Sequence, residues 1–176
     1  LSIDPKAEVI PCKTFDECFL KTSKDTSSKM IIPESNRITG NIGIEYLIFN
    51  YRLNIYSEFF QQIEHNLLVL PGTKISEIKD IYSHAQALSQ CSKFIKSHNF
   101  EEHVRADTAG SAEMIAKSKD KRKSAIASSL SAETYGLEIL KKNIENEKGN
   151  FTRFLIMGKN IYQPTFDRKK FITSFL

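Results

Sequence analysis

Short hydroxyl and amide side chains gather at three places, residues 33–40, 83–86 and 107–111, where an apolar segment is followed by the start of a predicted helix. The free amide groups and the positive dipole at a helix start bind anions without a lysine or arginine. In an open α/β sheet, ligands collect outside the carboxyl ends of the strands, where such helix starts converge. The pattern predicts a site for a small dicarboxylate, although each place taken alone is more often only a well-capped helix.

The charge pattern argues against a nucleic-acid partner. The chain has 176 residues, of which 25 are basic and 21 acidic, and its net charge is +4. The basic residues are scattered except at 117–123, which we expect to be a solvated loop after a helix. No basic stripe with interleaved aromatic residues, of the kind that follows a phosphate backbone, is present in the sequence.

A membrane segment, a disulfide framework and a metal site are not expected either. The longest apolar runs, such as residues 67–70, are far shorter than the roughly 20 residues that span a bilayer. The sequence has three cysteines, Cys12, Cys18 and Cys91, which are too few for a disulfide framework. No two of them have the Cys-x-x-Cys spacing. The histidines show no metal-ligand spacing. We therefore expect a cytoplasmic protein that needs no metal.

Apolar periodicity switches repeatedly between strand and helix, which is typical of an α/β fold. Residues 30–32 are apolar on both faces and predict a buried parallel strand. The patterns at 14–17 and 83–86 predict capping boxes at two helix starts. Residues 55–70 alternate and predict one long extended segment that crosses from one lobe into another, and residues 151–157 predict a strongly apolar strand.

Eight short motifs, taken together, resemble the prephenate dehydratase family. They occur in the family's order and with its approximate spacings, from about residue 8 to about residue 160, and it is the ordered set that is specific. The motifs are Pro33-x-x-Asn36-x-x-x-Gly40, Glu64-His65-Asn66-Leu67-Leu68, Ser83-His84-Ala85-Gln86-Ala87-Leu88-x-Gln90-Cys91, Asp107-Thr108-Ala109-Gly110-Ser111-Ala112, Ala125-Ile126-Ala127-Ser128, Tyr135-Gly136-Leu137, Asn143-Ile144-Glu145 and Asn150-x-Thr152-Arg153-Phe154.

The resemblance implies a two-lobed α/β fold like that of the type 2 periplasmic-binding proteins, with the active-site cleft between the lobes. Residues 1–64 and 150–165 are then expected to form the first lobe, and residues 65–149 the second. The implied activity is conversion of prephenate to phenylpyruvate, the committed step toward phenylalanine, with no cofactor. The implied partner is this small dicarboxylate substrate, and we expect the complete protein to be a homodimer or a higher homo-oligomer.

This reaction demands little chemistry from a protein. Prephenate carries a ring carboxylate and a pyruvyl carboxylate, and loss of the ring carboxylate together with the ring hydroxyl creates an aromatic ring. The enzyme must hold both carboxylates and donate a proton or a hydrogen bond to the departing hydroxyl. Thr152, in the family's Thr-Arg-Phe motif, is the implied catalytic group. A threonine hydroxyl is a poor acid in water, so it would act as an oriented donor, or by relay, in a dry site.

The resemblance also assigns residues around Thr152. The implied substrate-binding residues are Asn36, Ser83, Gln86, Ala87, Thr108, Ala109 and Arg153, of which Ser83, Gln86 and Ala87 would act with their backbone amides. Arg153 could balance substrate charge or, equally, pair with a carboxylate of the protein. Phe154 is expected to fix the strand that carries Thr152 by packing, and Gly40 to serve a backbone conformation.

Two positions depart from the family's usual Pro-Ile-Glu-Asn-Ser pattern. Ser35 replaces the glutamate, and Arg37 places a bulky cation where a small hydroxyl is expected. The family's opening strand with its glycine-rich turn is also not found before Leu1. These departures motivate one alternative, a catalytically impaired module that binds or senses a small molecule. A closer alternative is an arogenate dehydratase, whose substrate carries an amine on the side chain.

Residues 166–176 resemble a linker and the first strand of the phenylalanine-sensing ACT domain that commonly follows in the family. A single strand at a chain end has no partner to pair with. We therefore expect the sequence to be part of a longer protein, in which L-phenylalanine is an effector that acts through the ACT domain.

Overall fold

The computed structural model describes residues 7–161, so the predicted ACT strand at 166–176 lies outside the described residues. The helices in the described range are α1 (Phe15–Lys24), α2 (Glu45–Tyr51), α3 (Ala85–Gln90), α4 (Ser92–His98), α5 (Thr108–Ser118) and α6 (Ser129–Tyr135). The strands are β1 (Lys29–Asn36), β2 (Gly40–Asn41), β3 (Asn54–Gln62), β4 (Asn66–Val69), β5 (Asp80–His84), β6 (Glu101–Arg105), β7 (Lys123–Ala127), β8 (Glu138–Lys141) and β9 (Phe151–Gly158). The predicted α/β class is confirmed.

The chain divides into two compact units. Of the described residues, unit 1 takes 7–61 and 152–161, and unit 2 takes Gln62–Phe151. Unit 1 contains a four-stranded sheet in the order β2-β1-β9-β3. Unit 2 contains a five-stranded sheet in the order β6-β5-β7-β4-β8. The sequence therefore leaves unit 1 once, builds all of unit 2 and returns through β9.

In unit 1, β1 runs antiparallel to β9 along its whole length, from the pair Lys29 and Gly158 to the pair Asn36 and Thr152. The register shifts between Pro33 and Ser35, which makes a β-bulge. The prediction of a parallel strand at residues 30–32 is therefore wrong. An apolar run shows that a strand is buried, but it does not show the direction of a partner strand that comes from the far end of the sequence.

In unit 2, β5 runs parallel to both β6 and β7, whereas β4 runs antiparallel to β7 and β8. Each of the three parallel strands leads directly into a helix, so β5 is followed by α3, β6 by α5 and β7 by α6. Because the strands are parallel, the starts of these three helices lie at the same edge of the sheet.

The core of unit 2 packs against both faces of β4. Leu67 and Ile126 belong to the cluster on one face, and Leu68 and Ala125 belong to the cluster on the other. Cys91 is fully buried in the first cluster, and this burial raises the pKa of its thiol to about 12. In unit 1, a separate cluster forms around Phe19, Ile32, Leu155 and Met157 on α1, β1 and β9.

Two local predictions need correction. The extended segment predicted for residues 55–70 is two strands, because β3 ends at Gln62 and β4 begins only at Asn66, after the chain has entered unit 2. Alternation of apolar residues continues through this break and so does not reveal it. At residues 14–17, the Thr14 hydroxyl accepts a hydrogen bond from the Glu17 amide as predicted, but the Glu17 carboxylate accepts from the Lys13 amide, one residue before the cap.

Among the described helices, none combines the length and the apolar character that a bilayer-spanning segment needs.

Truncation of Leu67, which is fully buried in β4, tests the placement of this core. We expect Leu67→Ala to lower the free energy of unfolding by about 2–5 kcal/mol, because it leaves a cavity between packed layers. The matched control is Leu130→Ala on α6, where the side chain is 68% exposed and the expected change is within about 0.5 kcal/mol. Urea unfolding of both variants measures the difference, and equal losses would contradict the described packing.

Candidate functional site

In unit 1, the register of β1 against β9 places Asn36 directly opposite Thr152. The side-chain amide nitrogen of Asn36, Nδ2, lies 2.9 Å from Oγ1 of Thr152. Thr152 is buried, with 8% of its surface exposed. The structure therefore brings into contact two residues that were assigned to one site from the sequence, although they lie far apart along the chain.

The orientation of the Asn36 amide follows from its other hydrogen bonds. Its oxygen, Oδ1, accepts from the backbone amides of Ile38 and Thr39 at 2.9 and 3.1 Å. Backbone amides only donate, so the atom facing them must be the oxygen, and the nitrogen must face Thr152. Asn36 thus donates to the Thr152 oxygen. The hydroxyl proton of Thr152 is then not needed for this hydrogen bond and can be donated to another acceptor.

Arg153, the next residue of β9, is held by two carboxylates of the same unit. Its Nε lies 2.5 Å from Glu58 on β3, and its Nη1 lies 3.3 Å from Glu34 on β1. All three side chains are about one quarter exposed, since the exposed fractions are 28% for Arg153, 25% for Glu58 and 20% for Glu34. Pairing with carboxylates of the protein, which sequence analysis left open for Arg153, is therefore present in the structure.

The bulge in β1 lies next to Ser35, the residue that replaces the glutamate of the family pattern. Ser35 lies opposite Arg153, and Glu34 is the extra residue of the bulge. The Ser35 hydroxyl donates to the Glu34 carboxylate at 2.5 Å, and the same carboxylate contacts Arg153. A carboxylate is thus present beside the position where the family pattern has its glutamate. Arg37 is exposed in the loop that follows β1.

Two further residues near this site, Phe154 and Gly40, were expected to have structural roles. The ring of Phe154 stacks on that of Phe59 in β3, with 5.1 Å between centroids and 10° between planes. Gly40 has a φ of +81°, a conformation that L side chains rarely adopt, and it pairs with Asn36 at the β2 edge. Both residues therefore have the packing and backbone settings that sequence analysis expected of them.

In unit 2, Ser83 is a strand residue and not a helix cap. It lies within β5, is fully buried, and its hydroxyl donates to the carbonyl of Ile126 on β7 at 2.7 Å. The residue that caps α3 is His84, whose Nδ1 accepts from the Gln86 amide at 3.3 Å. The predicted capping box at 83–86 is therefore wrong, because the hydroxyl points into the sheet. At the start of α3, Gln86 is exposed and Ala87 is buried.

The second predicted helix start in unit 2 is present at α5. The Asp107 carboxylate caps it by accepting from the Gly110 amide at 2.5 Å. Thr108 is half-buried and Ala109 is exposed in the first turn. Because β5 and β6 are parallel and paired from Asp80 to His84, the starts of α3 and α5 are neighbours at one edge of the sheet.

A third helix start at this edge was not identified from the sequence. Ser128 follows β7 and caps α6, and its Oγ accepts from the Ser131 amide at 3.2 Å. The spacing of two serines three residues apart after an apolar strand is the signal that could have revealed it. Unit 2 therefore presents three capped helix starts side by side, which is an arrangement suited to anionic groups.

Comparison with known proteins matches residues 1–161 to the family described as prephenate dehydratase. One curated relative is arogenate dehydratase/prephenate dehydratase 1, chloroplastic, of Arabidopsis thaliana, which is 35% identical over 165 residues and covers 93% of this chain. The aligned part is 42% of that relative, and the chain spans about two fifths of the length of the curated relatives it matches.

Two solved structures share the fold. One is described as GqqA, a novel type of quorum quenching acylase, and has a TM-score of 0.79 and 32% identity over 90% of this chain and 58% of its own. The other is the prephenate dehydratase of Staphylococcus aureus, with a TM-score of 0.76 and 27% identity over 87% of this chain and 57% of its own. The prediction of a two-lobed fold of the type 2 periplasmic-binding-protein kind is confirmed.

Removal of the Arg153 guanidinium tests the ion-pair cluster in unit 1. We expect Arg153→Gln to lower the free energy of unfolding by about 1.5–3 kcal/mol, because two partly buried carboxylates lose their charged partner. Arg122→Gln is the control, since Arg122 pairs with Asp120 but is 64% exposed, and its expected loss is at most about 1 kcal/mol. Equal losses for the two variants in urea unfolding would show that Arg153 is not held as described.

Proposed function

Because the chain belongs to the prephenate dehydratase family, we propose that it catalyses the decarboxylating dehydration of prephenate to phenylpyruvate in L-phenylalanine biosynthesis. The observation that carries the proposal is the hydrogen bond from Asn36 Nδ2 to Thr152 Oγ1 at 2.9 Å. It holds a buried hydroxyl in the orientation of a donor, on a residue of the family's Thr-Arg-Phe motif. The reaction requires such a donor where the ring hydroxyl leaves.

The balanced reaction sets the task for each residue. The C–C bond to the ring carboxylate breaks and releases CO2, and its electron pair enters the ring. The C–O bond to the ring hydroxyl breaks, and the hydroxyl takes up one proton and departs as water. The dianion prephenate and one proton therefore give the monoanion phenylpyruvate, CO2 and water. The protein must hold two carboxylates, stabilise the leaving oxygen and exclude bulk water.

We assign Thr152 to the leaving oxygen. Its own oxygen accepts from Asn36, so the hydroxyl is polarised and its proton is directed toward another acceptor. Asn36 positions this hydroxyl, and its amide has a second N–H, which we assign to a substrate oxygen. Arg153 is held by Glu34 and Glu58, whose two negative charges outweigh its one positive charge, so we assign it to holding strand β9 beside Thr152 and not to balancing the charge of the substrate.

The residues of unit 2 are assigned to the carboxylates of the substrate. Thr108 and Ala109 lie in the first turn of α5, a helix of 11 residues, and their backbone amides point toward its N-terminal end. Gln86 and Ala87 occupy the equivalent place in α3, and exposed Gln86 also offers its side-chain amide. Ser83 fixes the end of β5 through its hydrogen bond to Ile126, so any substrate contact of Ser83 is assigned to its backbone.

Arogenate dehydratase activity is the second candidate, because the name of the Arabidopsis thaliana relative gives both arogenate dehydratase and prephenate dehydratase. The two substrates differ only in the side chain, which is a pyruvyl group in prephenate and carries an amine in arogenate. The ring chemistry and the proposed role of Thr152 are the same for both. Only a side-by-side comparison of the two substrates separates these candidates.

The finer parts of the proposal concern the whole protein. We propose that residues 1–64 and 150–165 form one lobe and residues 65–149 the other. We also propose that the protein is a homodimer or higher homo-oligomer in the cytoplasm. Finally, we propose that L-phenylalanine acts through an ACT domain. The resemblance of residues 166–176 to the start of an ACT domain supports the last part. An odd number of cysteines, three, is consistent with a reducing compartment.

Incubation of the purified protein with prephenate or arogenate tests the activity. We expect phenylpyruvate from prephenate, or phenylalanine from arogenate, at a rate well above that of a protein-free control. The substrate with the larger kcat/KM identifies the candidate. Ligand binding without turnover of either substrate would instead support the impaired binding module and contradict the proposal.

Substitution at Thr152 tests the donor. We expect Thr152→Val, which keeps the shape and removes the hydroxyl, to lower kcat by about 100-fold or more. Thr152→Ser keeps the hydroxyl and is expected to retain most of the activity. The control is Thr134→Val on the exposed face of α6, which is expected to leave kcat unchanged. An unchanged kcat in Thr152→Val, with the fold verified by circular dichroism, would remove Thr152 from the reaction.

A further inference from the structure

Three potential metal ligands meet in unit 2, at the beginning of the paired strands β5 and β6. The parallel register places Asp80 opposite Glu101 and Tyr82 opposite His103. The His103 Nε2 atom lies 2.9 Å from Oδ1 of Asp80 and 3.9 Å from Oε1 of Glu101. All three ligand atoms lie within 4.8 Å of one another. This end of the strands is opposite to the edge at which α3 and α5 begin.

We propose that Asp80, Glu101 and His103, the β5–β6 triad, form a binding site for a divalent cation of the Zn2+ type. The proposal goes beyond the dehydratase reaction, which needs no metal. One imidazole nitrogen and two carboxylate oxygens are ligands that Zn2+ takes in proteins, and a water molecule completes a four-coordinate site.

The distances fit such an ion without movement of the backbone. With bonds of about 2.0–2.1 Å in a tetrahedral arrangement, the ligand atoms of Zn2+ are separated by about 3.3 Å. The observed separations of 2.9 and 3.9 Å from His103 lie on either side of this value. Small side-chain rotations therefore bring the three atoms to ligand positions. Their backbones are held by the hydrogen bonds of paired strands, which makes the site more rigid than one on a loop.

The ring of Tyr82 supports the orientation of the imidazole. It stacks on the ring of His103, with 4.5 Å between centroids and 13° between planes. A fixed ring plane directs Nε2 toward the two carboxylates.

The local charge favours a cation. Asp80 and Glu101 lie opposite each other in the paired strands, and both carboxylates approach His103. The Arg122 guanidinium is engaged by Asp120 at 3.0 and 3.1 Å. A dication bound at the triad would neutralise both of its carboxylates.

Access to the triad is open. The exposed fractions of the side chains are 25% for Asp80, 33% for His103 and 76% for Glu101. An ion can therefore enter from solvent, and a water ligand can remain. The competing explanation for this cluster is an ion pair between protonated His103 and Asp80, in which Glu101 takes little part.

A cation at the triad would tie β5 to β6. Asp80 begins β5, and the same strand ends at His84, which caps α3. Glu101 begins β6, which leads to α5. We therefore expect metal binding to stabilise the pair of strands that carries the helix starts assigned to the substrate carboxylates.

Titration of the whole protein with Zn2+, after treatment with a chelator, tests the proposal. Isothermal titration calorimetry is expected to show one site per chain, and Zn2+ is expected to raise the melting temperature. Addition of Co2+ should give the visible absorption of a four-coordinate complex with nitrogen and oxygen ligands. None of these measurements depends on enzymatic activity. Absence of Zn2+ binding is therefore distinguishable from absence of dehydratase activity.

Substitution of two ligands locates the site. We expect His103→Gln and Glu101→Gln each to weaken Zn2+ binding by about 10-fold or more. The control is His98→Gln on α4, which removes an exposed histidine outside the triad and is expected to leave binding unchanged. Glu101 is largely exposed, so its variant keeps the test valid if His103→Gln does not fold. Absence of Zn2+ binding, or equal affinity in the wild type and the triad variants, would overturn the proposal and leave the ion pair.

Discussion

The antiparallel pairing of β1 with β9 is the constraint on which the candidate site in unit 1 depends. These strands come from opposite parts of the sequence, and their register sets Asn36 against Thr152 and Ser35 against Arg153. A shift of one residue would turn every side chain of the strand to the other face of the sheet. The Asn36 hydrogen bond to Thr152 would then be lost. The buried residues Met30, Ile32, Leu155 and Met157 stabilise this register because they form the core beneath it.

Much of the local structure could be predicted from the sequence. Strand β9 and the start of α5 follow from an apolar run and from a helix cap at Asp107, which are signals carried by neighbouring residues. The grouping of Asn36 with Thr152 was available only through resemblance to a family, since no property of either residue points to the other.

Two of the predictions that were wrong concern contacts between distant segments. Ser83 resembles a helix cap in the sequence, but its hydroxyl is buried against Ile126, a residue of another strand. The direction of β1 depends on β9 in the same way. His103 and Asp80 are 23 residues apart, and only the parallel pairing of their strands brings them within 2.9 Å. Spacing along the sequence cannot reveal a cluster that is formed by strand pairing.

Neutron diffraction from crystals exchanged into heavy water can establish which group donates in the hydrogen bond between Asn36 and Thr152, because it locates the hydrogen atoms. We expect a deuteron on the Asn36 amide nitrogen to be directed at Thr152 Oγ1, and the Thr152 deuteron to be directed at another acceptor. A Thr152 deuteron directed at Asn36 would contradict it. The hydroxyl would then be an internal donor, with no proton oriented for a leaving group.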